Sequence, residues 1–467
     1  MVSQNWLGRL SVKPIGMALR SFRQGIAVVA AALWIAADSL AMAQSRAADL
    51  RRAKVEYVLK SSVFSAKARE RAIHFIETVS PRAEAMTREQ FLLCLFRIAA
   101  FADNGHDSLH DAGGAWWPEG RLPIRMIWFP GGWVIARTDS ANADILGARV
   151  ESIEGLASSA MFRYLRDLAG GTDPYRLWNL EPIIEKAGLL HAAGLARYPD
   201  RVILRVRLKN GANAERTLFF VPNVELPAGQ WFERIWSPAP WPGEAEKGWR
   251  AVDPQPTPLY LQEGERLFRV VPLPELNALY LQMRVHFDAD GQTVADFRRA
   301  ADQAIEAGRP RNLIVDLRFD TGGDIDQTRN WQHELVGRVP GLVYVLVAPY
   351  TFSAGIVSAA AFKHDARERA RIVGEGVGDR LRWWSEGKDV CLPTSRYCFH
   401  LTTGQWDLVH GCAGQPDCYG DKYDARVNDL QPNLFAPLTQ ESWLAGADPG
   451  MEAIERDIAS RVQLHPG

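Results

Sequence analysis

Residues 312–324 read NLIVDLRFDTGGD, and residues 342–355 read LVYVLVAPYTFSAG. Each opens as a short apolar run rich in β-branched residues. The first stops at a polar turn holding Gly322 and Gly323, the second at Ser353-Ala354-Gly355. Short apolar runs of this kind suit strands buried on both faces of a parallel sheet. Each empties into a glycine-containing loop, and the carboxyl ends of parallel strands are where such sheets place their chemistry. One loop offers backbone amides to an oxyanion. The other offers a hydroxyl at the start of a helix. Acyl transfer by a serine nucleophile needs that pairing.

The two segments resemble serine peptidases of the C-terminal-processing and tricorn type, which share a crotonase-like fold. That family shows D-L-R-x-N-x-G-G, then T-x-S-A-G or T-x-S-A-A. Here Asp316 to Gly323 stand for the first and Thr351 to Gly355 for the second. The resemblance implies Ser353 as nucleophile. It implies an oxyanion hole from the Ala354 amide and an amide at Gly322 or Gly323. Asp316 and Arg318 lie inside the strand signature and read as structural hydrogen-bonding groups under the loop. Leu392-Pro393-Thr394-Ser395 resembles the L-P-x-S strand that borders the substrate groove in relatives.

A serine nucleophile needs a base. One branch of the family places a lysine in G-x-K-G after the serine. The corresponding residues 374–380, GEGVGDR, contain none. Arg380 stays protonated and cannot serve. The other branch uses a histidine far upstream in a D-G-H-T-like element, where this chain has Asn104-Gly105-His106-Asp107. The resemblance therefore implies His106 as base. It also implies an acid near the C-terminus, in or beside 423–439, with Asp424 first, Asp429 as an alternative and Asp421, just before the segment, as a third choice. No cofactor or metal is implied. His106 and His110 are four apart but have no evident third ligand, and the late cysteines lack C-x-x-C spacing.

Length and composition bound the rest. With 467 residues the chain exceeds one hydrophobic core, so several domains are expected. A net charge of -1 gives no basic field to attract nucleic acid. Arg20 and Arg23, an apolar run to Ala37, and Ala41-Met42-Ala43 make a secretory signal over residues 1–43. Cleavage after Ala43 would place the chain in a bacterial periplasm or outside the cell, with no membrane span. In such a compartment Cys391, Cys398, Cys412 and Cys418 can pair, most simply as Cys391–Cys398 and Cys412–Cys418. Cys94 reads as a buried thiol in an apolar helix.

The expected class is α/β and multidomain. A helical region covers 44–120, and a small β-rich domain covers 121–221 with turns at Pro130-Gly131-Gly132 and Asn210-Gly211. A Pro- and Trp-rich linker covers 222–258. A crotonase-like catalytic domain with a mostly parallel sheet covers 259–467. The functional expectation is an exported serine endopeptidase acting on a peptide or protein. The alternative is a relative without catalysis that binds peptides or hydrophobic ligands. An α/β-hydrolase esterase is disfavoured: Ser353 is not in G-x-S-x-G, and a base preceding the serine is the wrong order for that fold.

Overall fold

The computed structural model describes residues 45–112, 120–222, 236, 238, 243–423 and 425–464. The expected signal at 1–43 lies outside them. Among the described residues three α-helices come first, α1 (Arg46–Arg52), α2 (Ala66–Val79) and α3 (Arg88–Ala100). Ser45, Ser65 and Thr87 cap them by accepting backbone amides, so each start is written in the sequence. Strand β1 (Leu109–Asp111) follows.

The next region is an antiparallel sheet of β2 (Ile124–Phe129), β3 (Gly132–Asp139), β4 (Arg149–Ile153), β5 (Leu156–Ala157), β6 (Arg201–Arg207) and β7 (Asn213–Phe219). Helix α4 (Ser158–Leu165) crosses it. Strand β8 (Trp249–Ala251), from the Pro- and Trp-rich stretch, pairs with β3 and so completes this sheet. Much of that stretch lies outside the described residues. Trp236 within it is buried against Phe129, Phe319, Tyr350 and Trp443, an aromatic joint between the two sheets.

The second large sheet runs β9 (Phe268–Leu273), β10 (Ala278–Met283), β11 (Asn312–Asp316), β12 (Val343–Val347), β13 (Ala370–Gly374) and β16 (Leu434–Phe435). Only the β9–β10 pair is antiparallel. Helices α5 (Val294–Gly308), α6 (Arg329–Arg338) and α7 (Ala354–Ala366) connect its strands. Every residue of β11 and β12 is buried. Leu313, Val315, Val343 and Val345 face α5, α6 and α7, whereas Ile314, Tyr344 and Leu346 face α8 (Pro449–Leu464). Each such side chain contributes roughly 1.5–3 kcal/mol by leaving water. Two-sided burial is what the unalternating sequence required.

Asp316 and Arg318 are structural, as expected. Arg318 forks onto Asp316 (2.6–3.1 Å) and Asp448 (2.8 and 3.0 Å), and Tyr280 donates to Asp316 at 2.6 Å. The network ties the end of β11 to the start of α8.

The third sheet was not foreseen. Strands β14 (Arg382–Cys391) and β15 (Tyr397–Asp407) form a long hairpin, and β1 from the N-terminal region joins it beside β15. Disulfides Cys391–Cys398 and Cys412–Cys418 are both formed. Cys94 is half-buried in α3, with its thiol pushed up by burial. Leu392–Ser395 makes the hairpin turn, where the Thr394 and Ser395 amides bind Asp49 of α1. It does not border the cleft described below.

Candidate active site

The turn after β12 presents Ser353. Thr351 staples the turn: its hydroxyl donates to Leu317 O at 2.7 Å and accepts from the Ala348 amide at 3.0 Å. The Phe352 amide binds Asp320 O at 2.9 Å. Ser353 then sits at φ 53°, ψ -123°, immediately before α7. A non-glycine residue held at positive φ is strained by about 1–3 kcal/mol and recurs at functional sites. The small residues of T-F-S-A-G follow from crowding. A Cβ on Gly355 would meet Asp320 O at 2.6 Å.

Gly322 and Gly323 have φ of 106° and 131°, so only glycine fits the loop without strain. A Cβ on Gly322 would lie 2.5 Å from Ser353 Cβ and 2.9 Å from the Ala354 nitrogen. The loop docks on His286, whose amide donates to Gly322 O at 2.7 Å and whose carbonyl accepts from the Asp324 amide at 3.0 Å. The Gly322 amide is already taken by Asp320 Oδ1 at 2.9 Å. Of the two expected glycine donors, Gly323 is therefore the one whose amide is left over. Ala354, the other expected donor, opens the first turn of α7.

The histidine element is pinned in place. Asp107 accepts from Tyr57 Oη (3.0 Å), Asn104 Nδ2 (2.7 Å) and Thr402 Oγ1 (2.6 Å). Asn104 also exchanges two hydrogen bonds with the Trp384 backbone on β14. The two neighbours that depart from the resembled D-G-H-T pattern are thus the staples that hold this loop to the hairpin. Tyr175 Oη donates to Gly105 O at 2.7 Å. The His106 ring stacks on Phe352 with centroids 4.4 Å apart, and Tyr175 stacks on Phe352 at 4.7 Å. His106 therefore lies against the residue preceding Ser353.

Part of His106 reaches solvent, yet both ring nitrogens are buried and have no hydrogen-bond partner among the described residues. Burial, followed by the nearby His400, lowers its pKa to about 3. The imidazole is neutral at physiological pH, with one nitrogen able to accept a proton. The adjoining Asp379 is held against the Gly105–His106 loop, and its carboxyl is pushed up to about 6, chiefly by burial. His110 is turned away and bonds Asp389 at 3.1 Å.

Ser353 opens on a cavity of about 300 Å³, lined by Gly323, Ala354, Ser385, Glu386 and Trp406 among others. Trp383, Trp406 and Tyr423 form a parallel stack along it, with centroids 5.6 and 5.3 Å apart. Glu386 accepts from Trp406 Nε1 (3.1 Å) and Ser385 Oγ (2.7 Å) at φ 45°. His106 is not in this lining: it stacks on Phe352, and no hydrogen bond joins it to Ser353 among the described residues. Asp424 lies outside the described residues. Asp429 binds Lys363 at 3.0 Å and Asp421 accepts the Cys412 amide, and neither lines the cavity. Sequence reading missed Glu386, Asp379 and His286. Glu386 and His286 belong to no motif, Asp379 was passed over in the 374–380 segment read only for a lysine, and only the fold brings them near Ser353 or His106.

No known family profile matches the chain. No curated protein matches it in sequence. Solved structures match it in shape. Mature CPAF gives a TM-score of 0.53 at 12% identity, over 90% of this chain and 97% of its own. Mature CPAF complexed with lactacystin gives 0.51 at 13%, over 90% and 98%. The photosystem II D1 C-terminal processing protease covers 88% of this chain and 97% of itself at 13% identity, with a TM-score of 0.39. At 12–13% identity the likeness to CPAF is one of fold, and it spans nearly the whole of both chains.

Proposed function

We propose that this chain is a serine endopeptidase with a crotonase-like core, of the histidine-dependent branch. The observation that carries the reading is the conjunction at Ser353. A strained serine at a strand-to-helix turn shares one cleft with the Gly323 and Ala354 amides, and a buried neutral histidine packs against the adjacent Phe352.

Ser353 Oγ attacks the scissile carbonyl while His106 accepts the hydroxyl proton. The carbonyl oxygen becomes an oxyanion held by the Gly323 and Ala354 amides. His106 returns its proton to the amine as the C–N bond breaks. Water then attacks the acyl-enzyme by the same route in reverse, releasing the acid and restoring Ser353. Asp424 is the acid the resemblance implies for the third role. The substrate is an extended peptide segment laid in the cleft along β14. Lactacystin, bound by CPAF, is the first small ligand to try on this chain.

The protein works after export, with the signal removed behind Ala43. Two formed disulfides support an oxidising compartment. No described helix is long and apolar enough to cross a membrane.

The test is a pair of single variants and their combination, assayed on a quenched fluorogenic peptide library. Ser353→Ala and His106→Ala should each lower turnover by several orders of magnitude. The double variant should be little worse than either, because the two act as a unit. Near-normal turnover in His106→Ala would leave Ser353 without its proposed base and refute the assignment.

A further inference from the structure

One cluster of buried polar groups that the proposed reaction leaves unused centres on His286. Its side chain and that of Asp320 are both fully buried. His286 Nε2 lies 2.8 Å from Asp320 Oδ2, and Nδ1 lies 2.9 Å from Thr328 Oγ1. Ser358 Oγ stands 3.3 Å from the same Nε2 and accepts from Gln332 at 2.6 Å. Residue types suggest a second catalytic triad, but the geometry does not. Carboxylate and hydroxyl meet one ring nitrogen, so no proton can be relayed between them through the ring. None of these five residues lines the cavity.

What the cluster does touch is the glycine loop. The His286 backbone binds Gly322 O and the Asp324 amide, one bond on each side of Gly323. The His286 side chain holds Asp320 Oδ2, and Asp320 Oδ1 holds the Gly322 amide. Asp320 O also receives the Phe352 amide, one residue before Ser353. One histidine and one carboxylate thus fix both polar groups of the Gly322 residue and brace the nucleophile turn. The Gly323 amide is left to point elsewhere.

We propose that the His286–Asp320 pair is a buried clamp whose role is to aim the Gly323 amide at the substrate oxyanion, making both positioning residues for catalysis. The effect on rate rests on the peptidase reading. The effect on the loop does not.

Two substitutions at Asp320 separate the clamp from general stability. Leucine keeps the branched heavy-atom skeleton, with bulkier terminal methyls, but accepts no hydrogen bond. Asparagine, which stands at this position in the resembled family motif, keeps a carbonyl for the Gly322 amide. Its N–H can then face Nε2, provided His286 carries its proton on Nδ1 and donates it to Thr328.

Two readouts are taken on the full chain: fluorophosphonate inactivation kinetics at Ser353, and hydrogen exchange of the peptide holding residues 320–324. Asp320→Leu should lower kinact by about 10- to 100-fold with KI unchanged, as for a displaced oxyanion donor. It should also speed loop exchange by about tenfold or more while distant peptides keep their rates. Asp320→Asn should recover most of the rate and the protection. Parental kinact and exchange in Asp320→Leu overturn the clamp. A parent whose Ser353 never labels, but whose loop exchange still depends on Asp320, defeats the peptidase reading and leaves the clamp standing. A reactive Ser353 with unchanged exchange in Asp320→Leu does the reverse. Should Asp320→Leu fail to fold, Thr328→Val removes the Nδ1 partner, together with a long 3.5 Å bond to Ile325 O. It must speed the same exchange, and unchanged exchange there also overturns the clamp.

Discussion

Gly322→Ala is the sharpest single perturbation of the site. The added Cβ would lie 2.5 Å from Ser353 Cβ and 3.0 Å from Ser353 Oγ. Carbon atoms settle about 3.5–4.0 Å apart, so the loop and the nucleophile turn must separate by about 1 Å. A misplacement of that size costs on the order of 100-fold in rate. The φ of 106° adds backbone strain of at least about 1–2 kcal/mol for a side chain. In a chain of this size that strain lowers the melting temperature by no more than a few degrees. Gly211→Ala is the matched control. Its φ is 84° at the β6–β7 hairpin tip, with nothing within 4 Å of the added carbon. It should show comparable destabilisation with kcat/KM untouched. The assay is kcat/KM on a fluorogenic peptide beside a thermal melt. Parental kcat/KM in a folded Gly322→Ala protein would refute the geometry assigned to the cleft.

Three further outcomes are expected. Asp379 has its folded pKa raised to about 6 from the ordinary value of 3.8, so the native state favours the protonated form and loses stability as pH rises through that window. Asp379→Asn lacks this loss, so its melting temperature should gain on the parent between pH 4 and pH 6, by up to about 3 kcal/mol equivalent; parallel melting curves across that range would contradict it. Arg318→Ala strands Asp316 and Asp448 in a buried site and should cost about 3–5 kcal/mol in denaturant unfolding, whereas a cost below about 1 kcal/mol would place the network in water. N-terminal sequencing of exported material should begin at Gln44, and full-length chain in the membrane fraction would overturn the leader assignment.

The parallel core was legible because two-sided burial leaves runs that do not alternate, as in NLIVD and VYVLV. The strand-to-helix turn that carries Ser353 was legible because it demands a staple and small neighbours, which appear as Thr351, Ala354 and Gly355. The third sheet was not, because β1 and β15 pair across almost 300 positions and nothing in either strand names the other. The same distance hid the site's supports. Asn104 and Asp107 looked like departures from a pattern around His106. Their reason is the backbone of Trp384 and the hydroxyls of Tyr57 and Thr402. His286 had no motif at all, and its importance comes from the carbonyl and amide it lends to a loop far along the chain. Choosing between Gly322 and Gly323 needed the Asp320 hydrogen bond, which composition cannot supply.

The central claim is that Ser353 is activated by His106. Its most direct measurement is mass-spectrometric mapping of a fluorophosphonate adduct on the parent and on His106→Ala, under matched exposure. The account predicts an adduct on the peptide carrying Ser353 in the parent, and none in the variant within the same time. An unlabelled Ser353 in the folded parent, or equal labelling in both proteins, would contradict it.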